Sequence, residues 1–220
     1  MGYELVLVED KAAASFSMVP GLEREGHHIT LVHTSKAATR QVTRQWPDAV
    51  ILNLISGKFD PVKVCQKLDD TELQIPCLIV TDETMTVPPD AATVLKSPYS
   101  QSELAKQLDH VAAASTRRFW RLGGLILDTT LRQVLHAGKT FLLTPKEFDL
   151  LHLLASRPGE VVSRREIMNQ VWQTDYLGDT RTLDVHVRWL RQKIERNPSR
   201  PARLLTARGI GYRFVVPGQA

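Results

Sequence analysis

The sequence predicts two domains in series, an open α/β fold on a parallel five-stranded sheet followed by a smaller α+β fold, and three observations carry that expectation. The 220 residues suit two cores of about a hundred residues each. In the first half, short β-branched apolar runs alternate with stretches of helical period. In the second half, small strand-like segments precede helical ones and a closing hairpin, and the charge changes sign.

Glu4–Val8, 29–32, Ala49–Asn53, Cys77–Thr81 and 92–95 read as strands, because unbroken apolar runs suit strands covered on both faces. Residues 11–25, 35–45, 61–69 and 100–114 have helical period, with Ser35 and Ser100 placed as N-caps. Between Thr81 and Ala92 the chain is too short and too Pro-broken for an ordinary crossover helix. Composition turns from acidic to basic across residues 112–118, which places a short linker there and the domains at 1–115 and 116–220. Beyond it, residues 125–127, 133–136 and 140–143 read as antiparallel strands with Ala137-Gly138 as a turn. Helices are expected over 145–156, capped by Thr144, over 163–172 and over 180–196. Residues 203–207 and 211–216 close the chain as a hairpin around Arg208-Gly209-Ile210.

Residues 1–115 hold 10 Lys and Arg against 15 Asp and Glu, whereas residues 116–220 hold 18 against 9. The basic, partner-seeking surface therefore belongs to the second half. Arginine supplies 15 of those 18 cations, and its planar fork suits phosphates and guanine edges. Cys65 and Cys77 make neither a disulfide framework nor a metal cluster and read as packing thiols. No apolar run approaches the ~18 residues of a membrane span or has the flanks of a signal peptide, so no membrane partner and a cytoplasmic location are expected. No cofactor and no catalysis are expected.

The segment 179–194 carries the most information. At 100° per residue, Leu183, Val187, Leu190 and Ile194 share a narrow inward face, with Arg181, Val185, Arg188 and Gln192 opposite. Arginines mixed with a bare valine suit a major groove, where Arg bonds guanine or phosphate and Val touches a thymine methyl. An ordinary amphipathic surface helix is the other reading of this segment alone. The tip Arg208-Gly-Ile-Gly-Tyr-Arg213 offers two arginines and a tyrosine on a glycine-permitted turn, suited to a minor groove or a backbone clamp.

Phe141-Leu-Leu-Thr-Pro-Lys-Glu-Phe-Asp-Leu-Leu151, Pro158-Gly-Glu-Val-Val-Ser163, Asp184-Val-His-Val-Arg188 and the hairpin tip together resemble the OmpR/PhoB-type winged-helix effector domain over about residues 119–217. The resemblance implies a leading sheet, a three-helix core whose third helix reads the major groove of double-stranded DNA, and a C-terminal wing. It implies DNA contacts at Arg181, His186, Arg188 and Arg191, and on the wing at Arg208, Tyr212 and Arg213. Thr182 and Val185 complete the candidate interface. Loop 172–179 corresponds to the segment with which such proteins meet RNA polymerase. Where the family commonly has a second arginine, this chain has Trp189.

Residues 3–114 resemble the receiver (flavodoxin-like) domain that normally precedes such an effector. In that family an acidic pair holds Mg²⁺, an Asp accepts phosphoryl, a Thr or Ser senses it and a Lys before Pro steadies it. Here Glu9, Asp10 and Thr81 match, but the acceptor position holds Asn53, and aligning on Pro98 leaves Ser97 in place of the Lys with Lys96 one residue early. An amide is a far weaker nucleophile than a carboxylate and removes charge that Mg²⁺ coordination relies on. A degenerate phosphorylation site, with at most weak cation binding at Glu9 and Asp10, is expected. The whole chain then reads as a phosphorylation-independent, homodimeric DNA-binding regulator that answers a sensor or other signalling protein. Residual phosphotransfer-linked or cation-dependent signalling, or an adaptor without DNA binding, are the alternatives.

Overall fold

The computed structural model describes residues 2–11, 17–55, 61–82, 93–175 and 181–218. It divides into two compact units, residues 1–119 and 120–220.

The first unit comprises β1 (Glu4–Val8), α1 (Val19–Arg24), β2 (His28–Val32), α2 (Ser35–Gln45), β3 (Ala49–Asn53), α3 (Pro61–Asp69), β4 (Cys77–Thr81), β5 (Thr93–Lys96) and α4 (Gln101–Arg118). The strands form one sheet in the order β2-β1-β3-β4-β5, every pair parallel. Strand β3 is buried along its whole length, which is why its run is apolar rather than alternating. Because the strands run the same way, the C-terminal ends of β1, β3 and β4 bring Glu9, Asn53 and Thr81 to one edge of the sheet.

Three expectations shift here. Helix α1 begins at Val19 with Pro20 in its first turn, and residues 12–16 of the longer expected helix lie outside the described residues. The N-cap of α2 is Thr34, not Ser35: Thr34 has extended backbone, so its hydroxyl reaches back to accept from the Ala37 N–H at 3.1 Å, while Ser35 is already helical. Residues 112–118 are the last turns of α4 and not a linker. Ser100 starts that helix with a capping box to Glu103, the alanine run sustains it, and Arg117 and Arg118 suit the negative end of its dipole. The segment 83–92, expected to lack a full helix, lies outside the described residues.

The second unit comprises β6 (Phe119–Arg121), β7 (Leu125–Asp128), β8 (Gln133–His136), β9 (Lys139–Leu142), α5 (Pro145–Ala155), β10 (Val161–Ser163), α6 (Arg164–Trp172), α7 (Arg181–Ile194), β11 (Leu204–Ala207) and β12 (Gly211–Phe214). Strands β6-β7-β8-β9 form a four-stranded sheet, and β10-β12-β11 form a three-stranded sheet. Leu183, Val187, Leu190 and Ile194 of α7 are buried with Leu150, Leu154, Ile167 and Phe214. Each such side chain contributes about 1.5–3 kcal/mol of transfer free energy.

The three-stranded sheet depends on one glycine. A Cβ at Gly211 would lie 2.0 Å from the Val162 carbonyl oxygen, so only glycine lets β12 approach β10. Buried carboxylates fix α7 to its surroundings. Glu147 caps α5 and pairs with Lys193 at 2.6 Å; Glu195 accepts the backbone N–H groups of Ala202, Arg203 and Leu204 at 3.0, 2.8 and 2.8 Å. Among the described residues, no helix is long and apolar enough to cross a membrane.

Candidate nucleic-acid interface

Burying one stripe of α7 leaves the opposite stripe in solvent. Arg181, Thr182, Val185, Arg188, Trp189 and Gln192 are all exposed there. On the wing, Arg208 and Arg213 are exposed, and Gly209 with φ +74° makes the turn that carries Arg208 and Ile210 at its tip. These groups offer guanidinium forks, a hydroxyl, an amide and apolar surface, the set of functions that base edges and phosphates accept. Of loop 172–179, residues 176–179 lie outside the described residues.

Three other residues implied as DNA contacts are engaged within the fold. Tyr212 is only 4% exposed, because β12 pairs on both sides and turns its ring inward. Its hydroxyl donates to Asp184 Oδ1, and the Arg164 guanidinium grips both Asp184 oxygens at 2.8 and 3.0 Å. Arg191 lies beside β11 and donates to the Leu204 carbonyl at 3.0 and 2.8 Å and to Thr206 Oγ1 at 2.8 Å. The His186 ring sits 2.8 Å from the Thr182 carbonyl through Nδ1 and edge-on between Trp172 and Trp189, each centroid 5.1 Å away. These side chains position the helix against the wing and against α6.

The Arg164–Asp184–Tyr212 cluster joins α6, α7 and β12. Hydrogen bonding to Arg164, against a smaller opposing effect of burial, holds the Asp184 carboxyl below its ordinary range. Burial, then the Asp184 hydrogen bond, pushes the Tyr212 phenol up. Arg164 is not legible as part of this cluster in the sequence, because it belongs to α6 and not to the basic helix. The one signal was Asp184, an acid on a helix otherwise rich in arginine.

In the first unit, Glu9 is 2% exposed and Asn53 1%. Glu9 accepts from Ser17 Oγ at 2.7 Å, from the Met18 N–H at 2.8 Å and from Asn53 Nδ2 at 2.9 Å. The Asn53 oxygen faces the Ile55 N–H at 3.3 Å. That pair of contacts fixes the amide orientation: its NH₂ points at Glu9 and its oxygen points away. Asp10 is half-buried beside them. Thr81 is fully buried, with no hydrogen bond from its hydroxyl among the described residues. Ser97 donates its N–H to the Thr81 carbonyl at 2.7 Å, and Lys96 is exposed. Burial and the charge of Glu9 push the Tyr99 phenol up. The donor set does not fit Mg²⁺, a hard cation that takes oxygen ligands, because both Glu9 oxygens already accept hydrogen bonds, Oε2 from Ser17 and Oε1 from Met18 and Asn53, and position 53 supplies an amide in place of a second carboxylate. Among the described residues, no group of three or more His, Cys, Asp or Glu is gathered as a metal site.

Comparison with known proteins adds an independent finding. The family model described as "Transcriptional regulatory protein, C terminal" matches residues 138–214. The chain is 31% identical over 224 residues to the transcriptional regulatory protein AfsQ1 of Streptomyces coelicolor, covering 97% of this chain and 98% of that one. It is 32% identical over 223 residues to the sensory transduction protein RegX3 of Mycobacterium tuberculosis, covering 96% and 98%. The crystal structure of the Klebsiella pneumoniae RstA DNA-binding domain in complex with the RstA box shares 32% identity, covers 44% of this chain and 97% of that chain, and superposes with a TM-score of 0.42.

Proposed function

The chain belongs to the OmpR/PhoB-type response regulators, DNA-binding transcription regulators rather than enzymes, and from that premise we propose that it regulates transcription without phosphorylation of its N-terminal domain. One observation carries the second part of the reading: the side chain at the acceptor position is an amide hydrogen-bonded to Glu9 at 2.9 Å. An amide forms no acyl phosphate, and three donors already satisfy the Glu9 oxygens as hydrogen-bond acceptors without a cation. The first unit then serves to pair two copies on adjacent half-sites or to receive a signal of another kind. Double-stranded DNA is contacted through the exposed row Arg181, Thr182, Val185 and Arg188 of α7 and through Arg208 and Arg213 of the wing, while His186, Arg191 and Tyr212 shape that surface from behind.

The test pairs two measurements on the full chain: intact mass after incubation with acetyl phosphate and Mg²⁺, and titration of a duplex selected from random DNA, before and after that treatment. Unchanged mass and unchanged affinity are the expected result. A mass gain of one phosphoryl group together with tighter DNA binding would overturn the phosphorylation-independent reading.

A further inference from the structure

We propose that Val185 and Trp189 form an apolar strip on the outward face of α7 that selects DNA sites by their thymine methyl groups. This rests on the DNA-binding reading above and goes beyond it by naming what is read. Val185 is 41% exposed and Trp189 44% exposed, and they are the large hydrophobic residues that α7 leaves in solvent. They stand four residues apart, so they lie one above the other on the same side of the helix. Arg181 and Arg188 are exposed on the same face, and Gln192 lies one turn beyond Arg188. Apart from its one N–H, an exposed indole beside this row offers a phosphate only apolar surface. Within the major groove, the apolar feature on a base edge is the thymine C5-methyl.

The indole is also held in place before any ligand arrives. His186 stands edge-on to Trp189 at 5.1 Å, and His186 is itself fixed by the Thr182 carbonyl at 2.8 Å and by the edge of Trp172 at 5.1 Å. A side chain fixed in advance loses little conformational freedom on binding, which favours recognition of one small group at one position. The charge around the strip commits it to DNA rather than to a second copy of the chain, because a face carrying Arg181 and Arg188 repels an identical face. The strip makes α7 a reader of thymine-bearing steps where an arginine in place of Trp189 would favour guanine.

The experiment begins with the duplex that the full chain selects from random DNA. Each thymine is then replaced singly by deoxyuridine, which removes the methyl and leaves the pairing intact. For the native chain, affinity should fall about fourfold at one or two positions, the effect of one buried methyl. Trp189→Ala should reduce the thymine preference at such a position to less than twofold, and Trp189→Gln should do the same, with melting temperatures close to native since the side chain is exposed. A selected duplex that tolerates deoxyuridine everywhere, or a thymine preference that survives in both variants, overturns the strip and leaves DNA binding standing. Failure to select any duplex overturns both.

Discussion

Two imidazoles should make the stability of this chain sensitive to mild acid. Burial lowers the pKa of His27, whose Nδ1 accepts the Tyr3 N–H at 3.1 Å, and burial together with nearby Arg203 lowers that of His136. Each binds a proton less readily in the folded state than at the ordinary value of 6.5 that it has when unfolded. Between those limits the unfolded chain binds more protons, so the stability they contribute is present above pH 6.5 and is lost as pH falls through the folded values. Melting temperature should drop between pH 7.5 and 5.5, and less so in a His27→Asn, His136→Gln double variant. An equal drop in both proteins would exclude these groups as the cause. Asp184 acts in a lower window: its contribution is present above its unfolded value and lost as pH falls through the depressed one. Tyr212→Phe removes a hydrogen bond to a charged acceptor and should destabilise the second unit by about 1.5–3 kcal/mol. It should weaken DNA binding only through the altered seat of α7, across all sequences alike, as duplex titrations would show.

At the scale of elements, α7 and the wing do different work and should fail differently. Arg188→Ala removes an exposed guanidinium from the outward row and should weaken binding to the selected duplex by about 1–3 kcal/mol while relaxing sequence preference. Gly211→Ala drives a methyl against the Val162 carbonyl and should destabilise the fold by about 1–3 kcal/mol, read as a lower urea midpoint. The α7 face was legible beforehand because a 3.6-residue period with apolar residues at 183, 187, 190 and 194 specifies its orientation without further help. The five parallel strands were legible for a similar reason, their doubly buried runs. Strands β6 and β10, at three residues each, were not, since pairing with β7 and β12 makes them strands rather than any local pattern. The same limit applies to site residues. Periodicity shows which way Arg188 points, but the engagement of Tyr212 by Asp184 and of Arg191 by β11 depends on elements brought together only by folding.

For the molecule as a whole, the second unit has its own core, so the fragment 118–220, which retains β6, should fold alone and bind duplex DNA. With Arg181, Arg188, Arg208 and Arg213 exposed on this face, the logarithm of its affinity should fall with the logarithm of salt at a slope of about −3 to −4. A flat salt dependence would contradict the assignment of this face. The hydrogen bond from Asn53 to Glu9 has an electrostatic consequence as well. An aspartate placed at position 53 would set one buried carboxylate against another, with oxygens about 3 Å apart, and only a captured proton or cation would relieve the repulsion. Ser17 and the Met18 N–H already bond the Glu9 carboxylate, so they cannot also compensate a second acid, and Asn53→Asp should be less stable than the native chain.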